Sequence, residues 1–283
     1  MPENTAIQPL LLISSRTNNK NPVNMVVIHI ARLILLVCLL VAPLRAAEVA
    51  IIIDDMGNGL EDHKAFSLPV EITFSILPHA PYSTRFAREA AMQNREVMLH
   101  MPMESLRGRR LGPGALTAEM DAEHVQMTIE SALASVPNAI GLNNHMGSKL
   151  TQLTLPMSIT MDVLKRNGLV FVDSRTTRYT KAQSIADAYG VPNARRHVFL
   201  DHHRDEARIR EQVRTLVNRA KKYGSALGIG HPYPQTVNIL MEELASLSDQ
   251  NVTLVNISDY LDLQDDVTRP YQVANQSRLS APQ

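Results

Sequence analysis

The chain contains no tryptophan, and only five phenylalanines and seven tyrosines among its 283 residues. This counts against a long carbohydrate groove paved with aromatic rings, and any sugar-stacking platform would be small. There is a single cysteine, Cys38. No disulfide can form within the chain, and because Cys38 falls inside an apolar leader expected to be removed, a metal site in the mature chain would have to be built from His, Asp, Glu or Asn. The "LLVC" around Cys38 lacks the small residue that a lipid-attachment signal places before its cysteine. Net charge is also absent, with Lys+Arg and Asp+Glu both at 28. No overall basic field steers the molecule onto nucleic acid or an anionic membrane, so a nucleic-acid partner is disfavoured. Phosphate-cradling glycine loops are missing as well. The "GNG" after the first apolar run has none of the further spacing of a nucleotide-binding fingerprint, and no "GxSxG" nucleophile elbow occurs.

What is present begins with an atypical leader. Residues 1–46 run through a polar stretch into "MVVIHIARLILLVCLLVAPLRAA". Its apolar core from Leu33 to Pro43 has the length of a signal-peptide segment and falls short of the roughly 20 residues of a membrane span. Ala46 and Ala47 suit cleavage, and Met25 offers an alternative start. The expectation is a signal peptide over 1–46, a periplasmic or secreted protein, and no stable membrane span after cleavage. Removing that segment takes away Arg16, Lys20, Arg32 and Arg45 against Glu3, which leaves the remainder slightly acidic. From about Asp265 the chain turns polar and loses its period, so residues 265–283 read as a flexible tail.

Between these ends, 45% hydrophobic and 20% charged residues describe one ordinary globular domain. Short runs rich in Ile, Val and Leu alternate with stretches of helical period. The expected strands are "EVAIIID", "EITFSIL", "EVMLHMP", "AIGLNNH", "LVFVD", "HVFLD", "ALGIGHP" and "VTLVNIS". The expected helices are "PYSTRFAREAAMQN", "DAEHVQMTIESALASV", "PMSITMDVLKRNG", "KAQSIADAYG", "DEARIREQVRTLVNRAKKYG" and "TVNILMEELASLSDQ". This alternation predicts βα units around a mainly parallel sheet.

Polar residues gather at the C-terminal ends of those strands. Asp54 and Asp55 end the first, His100 the third, Asn143, Asn144 and His145 the fourth, Asp173 the fifth, Asp201 the sixth and His231 the seventh. In a parallel α/β fold these ends share one face, and a closed barrel brings them together better than an open sheet does.

Two adjacent acids repel unless a cation lies between them or their roles differ. With Asp55 on a divalent metal, Asp54 stays free to take a proton from water. His100 and His145 then complete a two-His-one-carboxylate set of the kind that holds Zn²⁺ with a position open. Taken alone, "DDMGNG" also suits a strand end running into an Asx turn. Glu104, four residues after His100, is a candidate supporting partner or a surface residue. "NNHMGS", with Asn143, Asn144, His145 and Ser148, is a costly polar cluster unless something binds there. Asp173 is a candidate to orient a ligand histidine. Arg175 beside it can pair with that acid or meet an anionic substrate group. Asp201 occupies a strand end, whereas His202 and His203 read as exposed. His231 in "GIGHPYP" is a candidate general acid. His63, His79, His124 and His197 read as surface or packing residues.

From about Val49 to Leu263, "IIIDDMG", "EVMLHMPME", "GLNNHMGSKLT", "FVDSRTT", "FLD" and "GIGHPYP" occur in the order shown by the divergent polysaccharide deacetylases, which the chain resembles. The resemblance implies a distorted (β/α) barrel of about seven mainly parallel strands with helices outside, over residues 47–264. It also implies a metal-dependent amide or ester hydrolase site, with Asp54 as base, Asp55 as metal ligand, His231 as acid, and His100 and His145 as metal histidines. One departure stands out: related deacetylases carry a His-x-x-x-His segment, and here the fourth residue after His100 is Glu104. The expected function is an exported hydrolase that removes acetyl groups from an N-acetylated, peptidoglycan-type envelope glycan. The alternative is a weak or inactive barrel that binds glycan or an envelope protein. A phosphoesterase is disfavoured, because basic residues are missing from most strand ends.

Overall fold

The computed structural model describes residues 46–263. The leader expected up to residue 46 and the tail expected over 265–283 thus lie, Ala46 apart, outside the described residues. Strand β1 (Ala47–Met56) is the centre of the sheet. Along one edge it pairs with β8 (Ser225–Gly230), from Glu48↔Ser225 to Ile53↔Gly230. Two short strands share its other edge, β9 (Val252–Val255) along the first half and β2 (Thr73–Ile76) along the second. The sheet continues through β3 (Val97–Met103), β4 (Ala139–Met146), β5 (Val170–Asp173) and β6 (Asn193–Arg195), and beyond β8 it ends in β7 (Val198–Phe199). Every ladder is parallel.

The strand order places β6 and β7 at opposite ends of the sheet, yet only Arg196 and His197 separate them in sequence. A flat sheet of eight strands is about 34 Å across, and two residues reach about 10 Å at most. The sheet must therefore curl until its ends meet. Arg196 donates its N–H to Asp173 O at 2.9 Å, and the next residue, His197, donates to Leu227 O at 2.8 Å. One continuous segment thus changes partner from β5 to β8 and closes the barrel. Counting β6 and β7 as one stave gives seven around the barrel. β6 is the strand the sequence did not reveal, because three residues, Asn193 to Arg195, carry no apolar run.

The six expected helices all form: α1 (Ser83–Met92), α2 (Ala122–Ser135), α3 (Thr154–Arg166), α4 (Ala182–Tyr189), α5 (Glu206–Tyr223) and α6 (Pro234–Leu244). Helix α5 shows why. Ile209, Val213, Leu216, Val217 and Ala220 make one buried stripe, Asp205 caps the start through the Arg208 N–H, and Gly224 ends it at φ 89°. No helix among the described residues is long and apolar enough to cross a membrane.

Side chains of a strand alternate between faces, so the barrel has two separate cores. Val49, Ile51 and Ile53 of β1 face outward to the helices, while Ala50 and Ile52 face inward with Met98, Val172, Leu227 and Ile229. The inner core is plugged by Ile257, Tyr260 and Leu261 from a helical stretch at 257–263. This corrects the reading of "VTLVNIS" as one strand: β9 stops at Val255 and the helix takes over. Glu96 explains the switch, since its Oε2 accepts the N–H groups of Ile257 at 2.9 Å and Ser258 at 3.2 Å. A carboxylate there satisfies the free donors of a helix start.

Candidate active site

In a regular strand Asp54 and Asp55 would face opposite ways. Asp54 continues the inward series of Ala50 and Ile52 and is buried. Asp55 is instead left-handed, with φ 61°, and the β1–β2 register slips between Ile53 and Met56. For a residue with a side chain that conformation costs about 1–2 kcal/mol. It turns the second carboxylate back over the barrel mouth, so both acids meet the same histidines. On β3, His100 follows Met98 inward. On β4 an extra residue shifts the register between Val97↔Ala139 and Leu99↔Leu142, which aims Asn143 and His145 into the barrel. Met146 at φ 55° and Gly147 at φ 83° then turn the chain sharply. A Cβ on Gly147 would sit 3.1 Å from Met103 Cβ, so this turn needs glycine.

Asn143 ties the acids to the histidines. Its Nδ2 donates to Asp54 Oδ1 at 2.7 Å, which leaves Oδ1 to accept from His100 Nδ1 at 2.7 Å and from the Ser75 hydroxyl. Because an amide oxygen only accepts, the proton of a neutral His100 lies on Nδ1, and Nε2 presents its lone pair. That Nε2 is 3.1 Å from both Asp55 Oδ1 and His145 Nδ1, and His145 Nδ1 is 2.8 Å from the same Asp55 oxygen. Asp55 Oδ1 is nevertheless buried without an aligned hydrogen-bond donor among the described residues. Three ligand atoms that converge on one another with an orphaned oxygen between them fit a bound cation. Asp55, His100 and His145 each offer one ligand atom, all within 4.8 Å of one another.

The charges agree with this arrangement. Burial alone would raise Asp55, but its contacts with His100 and His145 hold it well below the ordinary carboxylate range. Burial would lower His100, yet Asp54 and Asp55 push it up to about 9. The proton they attract is the one a cation would replace. Asp54 goes the other way: burial lifts it above its usual range against the pull of His100 and His231.

His231 follows β8 and is oriented by Asp201. Asp201 Oδ1 lies 2.9 Å from His231 Nδ1, and its Oδ2 accepts the His231 N–H at 2.6 Å and the Thr236 hydroxyl at 2.8 Å. The Nδ1 proton is thereby spoken for, and Nε2 faces the mouth 3.6 Å from Asp55 Oδ2. Burial would depress His231, but Asp201 first, then Asp55 and Asp54, raise it.

The remaining candidates serve the loops around the mouth. Asp173 reaches no histidine: facing outward from β5, it accepts the Arg175 N–H at 2.8 Å and the Thr180 hydroxyl at 2.9 Å. Arg175 meets that acid through its backbone only. Asn144 braces the β4 turn, donating to Met146 O at 2.7 Å and accepting the Ser174 N–H at 2.9 Å. Glu104 pairs with Lys149 at 2.6 Å and accepts the Ala118 N–H, and Ser148 accepts the Leu106 N–H at 3.1 Å. Both residues clasp the loop after β3 to the loop after β4. Ser75 and Thr236 were not among the candidates. Ser75 had a signal in "EITFSIL", where Thr73 and Ser75 alternate with apolar residues, while Thr236 sits in a helix and had none. Phe199 and Tyr233 also flank the site, with rings 5.6 Å and 5.4 Å from that of His231.

The mouth can therefore hold a divalent ion, with a carboxylate able to take a proton and an imidazole able to give one beside it. The chain is 37% identical over 221 residues to the uncharacterized protein YibQ of Escherichia coli strain K12, covering 78% of this chain and 69% of that one. It is 37% identical over 214 residues to an uncharacterized protein of Haemophilus influenzae, covering 75% and 76%. The crystal structure of the uncharacterized protein ATU2773 from Agrobacterium tumefaciens C58 shares the fold with a TM-score of 0.74 at 22% identity, over 77% of this chain and 91% of that one. The model of the family described as divergent polysaccharide deacetylase matches residues 51–261, from β1 to the helical plug, and the chain belongs to that family.

Proposed function

We propose that the protein is an exported, metal-dependent hydrolase that removes acetyl groups from N-acetylated amino sugars of an envelope glycan. The observation that carries this reading is the buried Asp55 oxygen, faced by His100 and His145 nitrogens and without an aligned donor among the described residues. Asp55, His100 and His145 would hold the ion, and two nitrogens with one oxygen suit Zn²⁺. When bound, such an ion supplies a Lewis acid for the acyl oxygen and lowers the pKa of a water. Asp54 accepts the proton of the attacking water, and its elevated affinity for that proton suits a base. Asn143 keeps Asp54 and His100 in register by bonding both. His231 Nε2 donates a proton to the departing nitrogen, with Asp201 holding the ring and stabilising its charged form. Family membership supports the reaction class, and the leader read from the sequence supports export.

Acetate release from N-acetylated glycan by the purified protein, measured together with its metal content, tests the reading. One divalent ion per chain, lost in His145→Ala along with acetate release, is expected. A protein that holds no metal and releases no acetate would overturn it. Metal and glycan bound without acetate release would point to the binding protein instead.

A further inference from the structure

Two sets of arginines contrast. On α3 and α5, Arg166, Arg208, Arg210 and Arg214 lie between 2.6 and 3.5 Å from carboxylate oxygens. Around the mouth, Arg175, Arg196 and Arg204 make no ion pair among the described residues. Two of these three are nonetheless fixed on rings that pack against His231. Arg196 donates through Nε to Ser174 O at 2.6 Å and through Nη2 to Arg175 O at 3.1 Å, and its guanidinium lies 4.6 Å over Phe199. Arg204 lies 3.8 Å over Tyr233. Phe199 and Tyr233 are the two rings packed against His231. Each guanidinium is thus held on an aromatic ring that itself packs against the proton donor.

Arg196 is half-buried: burial lowers its hold on the proton, and the carboxylates of Asp54, Asp173 and Asp201 counter this through the field without forming an ion pair with its guanidinium. Its Nη1 makes no hydrogen bond among the described residues. A preorganised guanidinium with free N–H groups matches a carboxylate or phosphate better than a neutral sugar hydroxyl. Holding it desolvated without a contacting acid is costly unless an anion arrives. The basic residues missing from the strand ends are supplied by the loops instead.

Resting on the hydrolytic reading, in which His231 protonates the departing nitrogen, the anion belongs on the sugar close to that nitrogen and not on the acyl group. We propose that the substrate is an acidic N-acyl amino sugar, whose carboxylate or phosphate is received by Arg196 and Arg204.

Calorimetric binding and acetate release are to be measured with the metal-loaded protein on three oligomers of equal length: neutral N-acetylglucosamine units, the same backbone with carboxyethyl ethers, and the same backbone phosphorylated. At least one anionic oligomer is expected to bind about tenfold tighter than the neutral one, and the better of the two names the anion. Arg204→Gln and Arg196→Gln should each cut that ratio several-fold, with Arg196→Lys keeping part of it. Arg166→Gln, at the end of α3 and paired with Asp162, should leave it intact. Equal binding of neutral and anionic oligomers, or arginine variants that do not change the ratio, overturns the proposal. Acetate released equally from all three keeps the hydrolytic reading and sinks this one. Anion preference without acetate release does the reverse.

Discussion

The two ends of the barrel interior are made by the same strands and follow opposite rules. At the floor, Ala50, Ile52, Met98 and Leu227 close on Tyr260 and Ile257 in an apolar plug. At the mouth, two to four residues further along β1 and β3, Asp54 and His100 stand in the same inward series, buried and polar, with Asn143 of β4 buried beside them. Position along a strand therefore decides whether an inward side chain stabilises the fold or serves the site. The mouth carries costs that the floor offsets: a left-handed Asp55, a buried Asp54 directly beside that half-buried second acid, and a half-buried Arg196 guanidinium without an ion pair among the described residues. Local rules broken together in one place mark a functional site.

Substitutions at the two ends should separate activity from stability. The largest effect is expected for Asp54→Asn, which leaves the size of the side chain and removes the proton acceptor. Acetate release should fall by about 10²–10⁴-fold, the range of a lost general base, with the melting temperature unchanged or raised. A variant that keeps its activity would show that the base lies elsewhere. At the floor, Tyr260→Ala should cost about 3–5 kcal/mol, because a fully buried aromatic leaves a cavity. Chemical denaturation reads that loss, and the surviving folded protein should still bind metal. Between the two, Asn143→Leu should weaken metal affinity by about 10–100-fold through loss of the His100 partner. Competition with a chelator measures this.

Two smaller predictions concern closure and the plug. His197 closes the seam, its N–H on Leu227 O and its Nδ1 accepting the Leu227 N–H at 3.0 Å. Burial first, then Arg219 and Arg195, lower it to about 4. The unfolded chain, with a histidine near 6.5, then binds the proton more tightly. Stability from this group is complete above about pH 6.5 and is lost as pH falls towards 4. Discounted for partial exposure, the loss is about 1–2 kcal/mol. Denaturation midpoints from pH 7 to pH 4.5 should show that slope, and His197→Asn should flatten it. The smallest effect is Glu96→Gln, about 1 kcal/mol, from weaker bonds to the Ile257 and Ser258 N–H groups. It should appear in denaturation and leave acetate release alone.

Much of this was legible beforehand. Six helices and most strands follow from hydrophobic period, and the inward acids and histidines were visible because a polar residue at the end of an apolar run is conspicuous. Asp54, Asp55, His100, His145 and His231 do meet in space. Asp173 looked identical in kind, an acid ending an apolar strand. It falls on the outward phase of β5 with Phe171, where it serves a loop. Its phase could not be read from a run apolar on both faces. The plug at 257–263 was hidden for a similar reason, since "LVNIS" is as apolar as a strand.

By itself the sequence determined the alternation of strands and helices, the polar strand ends and the absence of any intrachain disulfide, because those depend on residue type and local spacing. Only the tertiary structure decided which inward phase each strand takes, how Asp55 is turned to join Asp54, and that Arg196 and Arg204 stand beside His231. Those depend on register slips, on one left-handed residue and on a segment that changes strand partner within two residues. Each is set by contacts between residues far apart in the chain, and no window of sequence contains them.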